Sequence, residues 1–193
     1  MLRELLGAGA LLAVVASRDA QASVSVQVTW DALLHDSTAA VVATPVETTS
    51  VWEGGRIYSY AHLRVDRALA GELHEGDGCW VRTMGGVVGK IGQIVDGEAV
   101  LAGTEPSVLF LHRGPPGAFV VTARAQGQFA LVQTGDPAVP PRLVKSSAVG
   151  ALVPPAAVGP TAPPRFAADV VHGRLVDDVA RDVAAAWDRA HAR

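Results

Sequence analysis

Polar and apolar side chains alternate along several stretches in the middle of this chain, most regularly in residues 56–69. One face of that segment would carry Ile57, Ser59, Ala61, Leu63 and Val65, and the other would carry Tyr58, Tyr60, His62, Arg64 and Asp66. A period of two is typical of a strand whose two faces meet different surroundings. The pattern therefore predicts a long strand with one face against a core.

Further segments of strand composition lie on both sides of this one. They cover residues 39–52, 79–84, 106–113, 118–125 and 127–133. Pro45 interrupts the first of them, which predicts an edge position or a bulge. No helical run of about 10–15 residues separates the strands, so parallel strand–helix–strand wiring is not expected. The series predicts a mainly β fold, a small closed or nearly closed antiparallel barrel.

Helical patterns flank the predicted strands at both ends. Thr29 is typical of a helix N-cap, and a short N-terminal helix is predicted over residues 30–36, with Leu33 and Leu34 facing a core. Near the C-terminus, apolar residues recur at helical spacing, namely Leu175, Val179, Val183, Ala186 and Trp187. Residues 166–193 are therefore predicted to form a C-terminal helix.

The first 22 residues have the features of a signal peptide. Arg3 precedes a twelve-residue apolar run, residues 5–16, and an Ala-Gln-Ala site ends at Ala22. As a helix, twelve residues reach about 18 Å, which is short of the roughly 30 Å hydrocarbon layer. We expect cleavage near Ala22, a mature chain that begins at Ser23, a periplasmic or extracellular location and no membrane anchor. An uncleaved buried helix is the alternative.

The remainder of the chain divides into three parts. Residues 23–134 are predicted to form the β-barrel domain, and residues 166–193 the C-terminal helix. Between them, residues 135–165 contain eight of the twelve prolines. Because proline has no N–H and a fixed φ, this segment is predicted to be an extended linker without regular structure.

Charge and cysteine content narrow the possible partners. The net charge is −3 and the basic residues are scattered, so a nucleic-acid surface is not expected. The single cysteine, Cys79, leaves no intramolecular disulfide. Since it lies in a predicted strand, a buried apolar role is favoured over a reactive thiol.

A glycine-rich stretch, MGGVVGKIGQIVDGE at residues 84–98, resembles a phosphate-binding loop at first sight. A phosphate loop requires a glycine where Met84 stands and a hydroxyl residue where Ile91 stands, so a nucleotide site is not predicted. We expect a loop across the barrel mouth that contacts a partner through Gly85, Gly86, Lys90 and Gln93. A purely structural bulge is the alternative. Within the stretch, Asp96-Gly97 predicts a hairpin turn.

The segment SVWEGGRIYS, residues 50–59, predicts a second exposed tip. Trp52, Glu53 and Arg56 surround its glycines, and Trp and Arg are over-represented among binding hot spots. We expect these three residues to contact a partner. The alternative is that Trp52 folds back on the barrel and Arg56 is only solvated.

Residue patterns that would support catalysis are missing from the sequence. None of the six histidines forms a zinc-binding pair, and no serine lies in a G-x-S-x-G elbow. We therefore predict no catalytic residue, no metal and no cofactor, and a protein that is not an enzyme. The alternative is a periplasmic hydrolase that uses His62 or His112 with Asp96.

Residues 29–132 also share a recognisable pattern, carried by Trp52, Arg56, Ile57, Gly85, Gly86, Gln93, Phe110, Leu111, Gln126, Gly127 and Phe129. In this pattern the chain resembles a group of exported bacterial proteins to which no activity is assigned. More distantly, the strand order is similar to the OB-type barrel of netrin-like modules and tissue inhibitors of metalloproteases. That resemblance implies an OB-like barrel with a binding or inhibitory role.

The same resemblance does not extend to the mechanism of those inhibitors. They chelate a protease zinc through an N-terminal cysteine that disulfides hold in place, whereas this mature chain is predicted to begin at Ser23 and contains only Cys79. We therefore expect a non-enzymatic binding module that recognises an exported or envelope protein through its two loops. A further alternative is an assembly role. In it, the C-terminal helix docks another subunit through Leu175, Val179 and Val183 instead of packing on its own barrel.

Overall fold

The computed structural model describes residues 24–133, 135–136, 138–156 and 163–192, so the predicted signal peptide lies outside the described residues. The described elements, in chain order, are β1 (Val24–Val26), α1 (Trp30–His35), β2 (Ala39–Glu53), β3 (Arg56–Gly71), β4 (Gly78–Met84), β5 (Gly86–Val88), β6 (Ile91–Gln93), β7 (Ser107–Arg113), β8 (Phe119–Val121), a 3-10 turn (Arg124–Gly127), β9 (Gln128–Val132), β10 (Arg142–Lys145), β11 (Ala151–Val153), α2 (Ala167–Val171) and α3 (Val176–His191).

Five of these strands form a closed barrel. β2 pairs with β3, β3 with β4, β4 with β8, β8 with β7, and β7 with β2. The pairs are antiparallel except β4–β8, which is parallel and joins Val81 to Phe119. Numbered along the chain, the ring runs 1-2-3-5-4, the order of an OB-type barrel. The predicted fold class, a small mainly β barrel with flanking helices, is confirmed.

β2 and β3 serve both the barrel and a hairpin that projects from it. Residues 39–43 of β2 pair with β3 on one side and β7 on the other, whereas the rest of β2 pairs with β3 alone. A register shift between Pro45 and Glu47 confirms the bulge, because proline has no N–H to donate to the ladder. We call residues 47–62, beyond this bulge, the long hairpin.

Apolar side chains form one core inside the barrel and another between the barrel and the helices. The inner core includes Val41, Leu63, Val81, Leu109, Leu111 and Val121. The outer core is centred on Phe110, whose ring meets Trp30 and Phe129 edge to face at centroid distances of 5.8 and 6.2 Å. Because side chains alternate along a strand, the apolar β7 serves both cores.

The helices confirm most of what their sequences predict. Thr29 caps α1 and accepts a hydrogen bond from the Ala32 N–H (3.2 Å). The C-terminal segment forms two helices instead of one, because the chain turns between them at Gly173, where φ is +79°. Val179 and Val183 of α3 are fully buried in the outer core of their own domain. The assembly surface proposed from the sequence is therefore not free in the folded chain.

The proline-rich segment contains regular structure, so the prediction that none persists there is wrong. β10 pairs antiparallel with β9, and β11 pairs in parallel with β1. Neither short strand contains a proline, so each keeps the backbone N–H groups that a ladder requires. β10 is thus the outermost strand of the main sheet, and β11 forms a two-stranded sheet with β1.

Two strand predictions near the barrel mouth also require correction. Asp96-Gly97 forms a turn, but residues 94–106, all of them described, contain no strand, and the hairpin lies upstream between β5 and β6. The strand predicted over residues 118–125 is limited to β8. Ala123 and Arg124 adopt positive φ (54° and 57°), which turns the chain out of the sheet into the 3-10 turn.

Cys79 lies in the inner core on β4 and is only 6% exposed. Burial raises the pKa of its thiol to about 11, with a smaller effect of the same sign from Asp77. The thiolate is therefore disfavoured at neutral pH, and the predicted buried apolar role is confirmed.

Candidate functional site

The two loops singled out in the sequence lie together at one end of the barrel. The β5–β6 hairpin packs on the long hairpin at a pair of serines. The Ser59 hydroxyl donates to the Gly85 carbonyl (2.8 Å) and lies 2.8 Å from the Ser50 hydroxyl. The structure therefore joins the predicted loops into one surface.

Gly85 and Gly86 make this close packing possible. Their φ angles are +96° and +133°, which residues with a Cβ rarely adopt. A Cβ at Gly85 would lie 2.7 Å from the Gln93 carbonyl oxygen, and one at Gly86 would lie 2.3 Å from Ser59 Oγ and 2.4 Å from Ser50 Oγ. Both glycines thus have a packing role, which is the structural alternative weighed from the sequence. A direct contact with a partner stays a prediction for them.

Gln93 and Lys90, the other two residues predicted in this loop, differ in how exposed they are. The Gln93 side-chain oxygen accepts a hydrogen bond from the Ile57 N–H (2.9 Å), which fastens β6 to the long hairpin. Lys90 lies in the turn between β5 and β6 and is exposed. Gln93 therefore positions the loop, while Lys90 is accessible to a partner.

Glu53 is engaged within the chain on the outer face of the long hairpin. The Tyr60 hydroxyl donates to Glu53 Oε1 (2.6 Å), and the Arg82 guanidinium donates to Oε2. These two hydrogen bonds hold the pKa of Glu53 below its usual value, and the one from Tyr60 has the larger effect. The same guanidinium stacks on the Tyr58 ring, 3.4 Å from its centroid. Glu53, on β2, is thus hydrogen-bonded to both β3 and β4.

Trp52 points to the opposite face of the long hairpin from Glu53, because neighbouring residues of a strand alternate. Its side chain shares a face with Ser50 and is 50% exposed. The alternative that Trp52 folds back into a core does not describe this half-exposed position. Arg56, at the tip, is exposed as well.

A cavity of about 430 Å³ lies between the β5–β6 hairpin, the barrel mouth and residues 94–102. Apolar side chains dominate its lining, and its polar side chains are Thr48, Ser59, Thr83, Gln93 and Glu98. No Lys, Arg or His is among the described residues that line it. The cavity is thus apolar, with one ionisable group.

That ionisable group, Glu98, is 5% exposed. Its Oε1 accepts a hydrogen bond from the Ala99 N–H (3.3 Å), and Oε2 lies 3.8 Å from Nε of Arg124, which does not line the cavity. Burial raises the pKa of the Glu98 carboxyl, and the Ala99 N–H, Arg124 and the Met84 backbone N–H offset that effect only in part. The carboxylate is therefore held in an apolar place with weak compensation.

This raised pKa predicts a pH-dependent stability. The contribution of Glu98 is fully present below its ordinary pKa of 4.5 and is lost as the pH rises through the higher folded-state value. Urea unfolding between pH 4 and about pH 7 should therefore show the unmodified chain losing stability relative to Glu98→Gln as the pH rises. A difference between the two proteins that stays constant over this range would contradict the raised pKa.

Several large apolar side chains on the two hairpins and on residues 94–102 face solvent, and three of them line the cavity. We call this set the apolar rim; it consists of Trp52, Val87, Ile91, Ile94 and Val100. Ile94 is 98% exposed, and Val87, Ile94 and Val100 also line the cavity, which therefore opens to solvent beside them. Isolated exposed apolar residues are common, but a group around a concave opening is typical of an interaction site.

The residues considered for a hydrolase lie in different surroundings. His62 packs on Trp80 with ring centroids 4.9 Å apart, and His112 Nδ1 lies 3.2 Å from the Thr122 hydroxyl. Among the described residues, no hydrogen bond or ion pair joins either histidine to Asp96. The arrangement of a base and its orienting carboxylate is not present in these contacts.

Sequence reasoning missed Glu98, Ile94 and the two serines that hold the hairpins together. Glu98 follows the turn Asp96-Gly97 and precedes the apolar residues 99–102, and a lone carboxylate in such surroundings could have indicated a buried group. Ile94 lies in the hairpin that Asp96-Gly97 predicts, and that prediction gives no sign of its exposure. The hydroxyl pair left no pattern in the sequence.

Neither a metal site nor a membrane-spanning helix is found in the described part of the chain. No three His, Cys, Asp or Glu side chains there are grouped so that they could hold a metal ion. None of the described helices combines the length and the apolar character needed to cross a bilayer. No protein-family model, curated protein or solved structure gives a significant match to this chain.

Proposed function

We propose that this protein is an exported, non-enzymatic binding module that recognises a protein partner through the apolar rim. One observation carries the proposal: five large apolar side chains on the two hairpins and the adjoining residues 94–102 face solvent, and three of them, Val87, Ile94 and Val100, line one cavity at the barrel mouth. Their exposure to water is unfavourable, and a partner that covered them would recover that free energy. Export rests on the signal-peptide pattern of residues 1–22.

The structural setting favours recognition by preformed loops. Hydrogen bonds from Ser59 and to Gln93 hold the β5–β6 hairpin on the long hairpin, so a partner would meet a surface already in place. A preformed surface loses less conformational entropy on binding than a mobile loop does. Trp52 supplies an aromatic residue of the kind that dominates interface energetics.

Charge at the same end is mixed. Lys90 and Asp96 are both exposed beside the cavity mouth. Arg56 pairs with Glu53 at the tip of the long hairpin, so its side chain is on the face opposite Trp52. Complementary charges at the edge of an interface increase the association rate more than the affinity. The apolar side chains, and not the charges, are therefore the basis of the proposed recognition.

A pull-down with matched variants tests the proposal. Ile94→Asp places a charge at the centre of the rim, and Val46→Asp places one at another exposed valine (53% exposed) that does not line the cavity. The mature chain and Val46→Asp should retain the same envelope protein from the native periplasmic and secreted fractions, and Ile94→Asp should lose it. Both substitutions are at exposed side chains, so thermal unfolding should be similar for all three proteins.

Two outcomes would reject the rim as the binding surface. In the first, Ile94→Asp and Val46→Asp retain the partner equally well. In the second, Trp52→Ala loses the partner together with a matching fraction of the thermal stability, which would make Trp52 a packing residue instead of a contact residue.

A further inference from the structure

The cavity under the apolar rim has features that a protein–protein contact does not require. Its volume, about 430 Å³, is within the range of small-molecule sites, roughly 300–1,000 Å³. It lies at the mouth of a closed barrel, one of the places where such sites are common. The rim could be covered by a partner without this space below it being filled.

The lining restricts the chemistry of an occupant. Two of its hydroxyls are already used, because Thr48 donates to the Leu101 carbonyl (3.3 Å) and Ser59 donates to the Gly85 carbonyl (2.8 Å). The Gln93 side-chain oxygen is taken by the Ile57 N–H. Glu98 is the one ionisable residue in the described part of the lining, so an anionic ligand would meet a carboxylate of its own sign there.

The buried carboxylate itself favours a cation. Glu98 Oε2 lies 3.8 Å from the Arg124 Nε, beyond hydrogen-bonding distance, so the carboxylate has capacity to accept from a further donor. A buried charge with weak compensation is costly, and a close partner that also donates hydrogen bonds offsets part of that cost. An ammonium group would add the charge-assisted hydrogen bond that Arg124, at 3.8 Å, does not make.

We propose that this cavity binds a small organic amine, with its apolar body between the β5–β6 hairpin and residues 99–102 and its ammonium group on Glu98. The ligand would fill the space beneath the rim, whereas the partner would cover the rim itself, so amine binding can be measured on the chain alone.

Three probes that share one apolar body test the class of ligand. They are 4-phenylbutylamine, 4-phenylbutanol and 4-phenylbutanoate, each titrated into the mature chain at neutral pH and followed by backbone amide NMR shifts. The amine should bind about tenfold or more tightly than the alcohol, the factor expected from a charge-assisted hydrogen bond, and the carboxylate should not bind. The shifts should be confined to residues 84–102.

Two variants separate the charge from the cavity. Glu98→Gln should bring the amine and the alcohol to within about threefold of each other, because the amide keeps the shape and removes the charge. Ala102→Phe, at an exposed lining residue, should weaken both ligands by filling the space. If Glu98→Gln did not fold, the proposal would still be tested by two results: the ratio of amine to alcohol affinity on the unmodified chain, and the loss of binding in Ala102→Phe.

The proposal fails if the amine binds no better than the alcohol, if the shifts lie outside the cavity, or if no probe binds. It also fails if a folded Glu98→Gln keeps the full preference for the amine. None of these results depends on a partner, so they leave the pull-down with Ile94→Asp unaffected.

Discussion

Replacing Phe110 with alanine should lower the free energy of unfolding by about 3–5 kcal/mol. Phe110 is fully buried, and its ring touches the edges of Trp30 and Phe129 in the outer core. The substitution would leave a cavity where the barrel, α1 and α3 meet, and the aromatic contacts would also be lost. Urea unfolding of the mature chain, monitored by circular dichroism, measures the change.

Phe110→Leu is the matched control for this prediction. It keeps an apolar side chain of similar size at the same site and should cost less than about 1.5 kcal/mol. A loss below about 1 kcal/mol for Phe110→Ala would mean that the helices are not packed on the barrel through this residue. Equal losses for the two substitutions would likewise contradict a cavity at the centre of the outer core.

Replacing Gly85 with alanine should cost about 2–3 kcal/mol. The residue has φ of +96°, and an added Cβ would lie 2.7 Å from the Gln93 carbonyl oxygen. That oxygen belongs to the backbone of β6, so a side-chain rotation cannot relieve the clash. The β5–β6 hairpin would have to move away from the long hairpin, which should also weaken partner binding through the apolar rim.

Gly89→Ala separates the two causes of this loss. Gly89 lies in the turn of the same hairpin with φ of +61°, but an added Cβ would meet no atom within 4 Å. Backbone strain alone should therefore cost about 1 kcal/mol there. If both alanine variants lost the same stability, the close approach at Gly85 would have no energetic importance.

Much of the fold could be predicted because its signals are local. The alternation in residues 56–69 reports directly which face of β3 is buried, and Ile57, Ala61 and Leu63 do face the interior. Thr29 caps a helix through a contact only three residues away. Such patterns depend on neighbouring residues and therefore survive in a single sequence.

The features that were missed depend on residues far apart in the chain. The Gln128 side-chain amide accepts a hydrogen bond from the Val100 N–H (3.1 Å) and donates one to the Val100 carbonyl (2.6 Å). This contact replaces the ladder that would have made a hairpin at Asp96-Gly97. Closure of the barrel between Val81 and Phe119 is similarly non-local. Periodicity carries no information about such pairings.

The two hairpin tips chosen from the sequence lie together at one end of the barrel. Several residues expected to contact a partner also support the loops within the chain: Gly85, Gly86, Gln93 and Glu53. Their contact with a partner stays a prediction. The exposed rim residue Ile94 and the buried Glu98 required the three-dimensional arrangement, because each is defined by what surrounds it.

Site-specific photocrosslinking tests the central claim, that the apolar rim is the binding surface, most directly. A benzoylphenylalanine would replace Ile94 in one version of the full chain and Val46 in another, each expressed in its native host and irradiated. We expect a discrete adduct with one envelope protein from position 94 and none from position 46. Adducts of equal yield from both positions, or none from position 94, would contradict it.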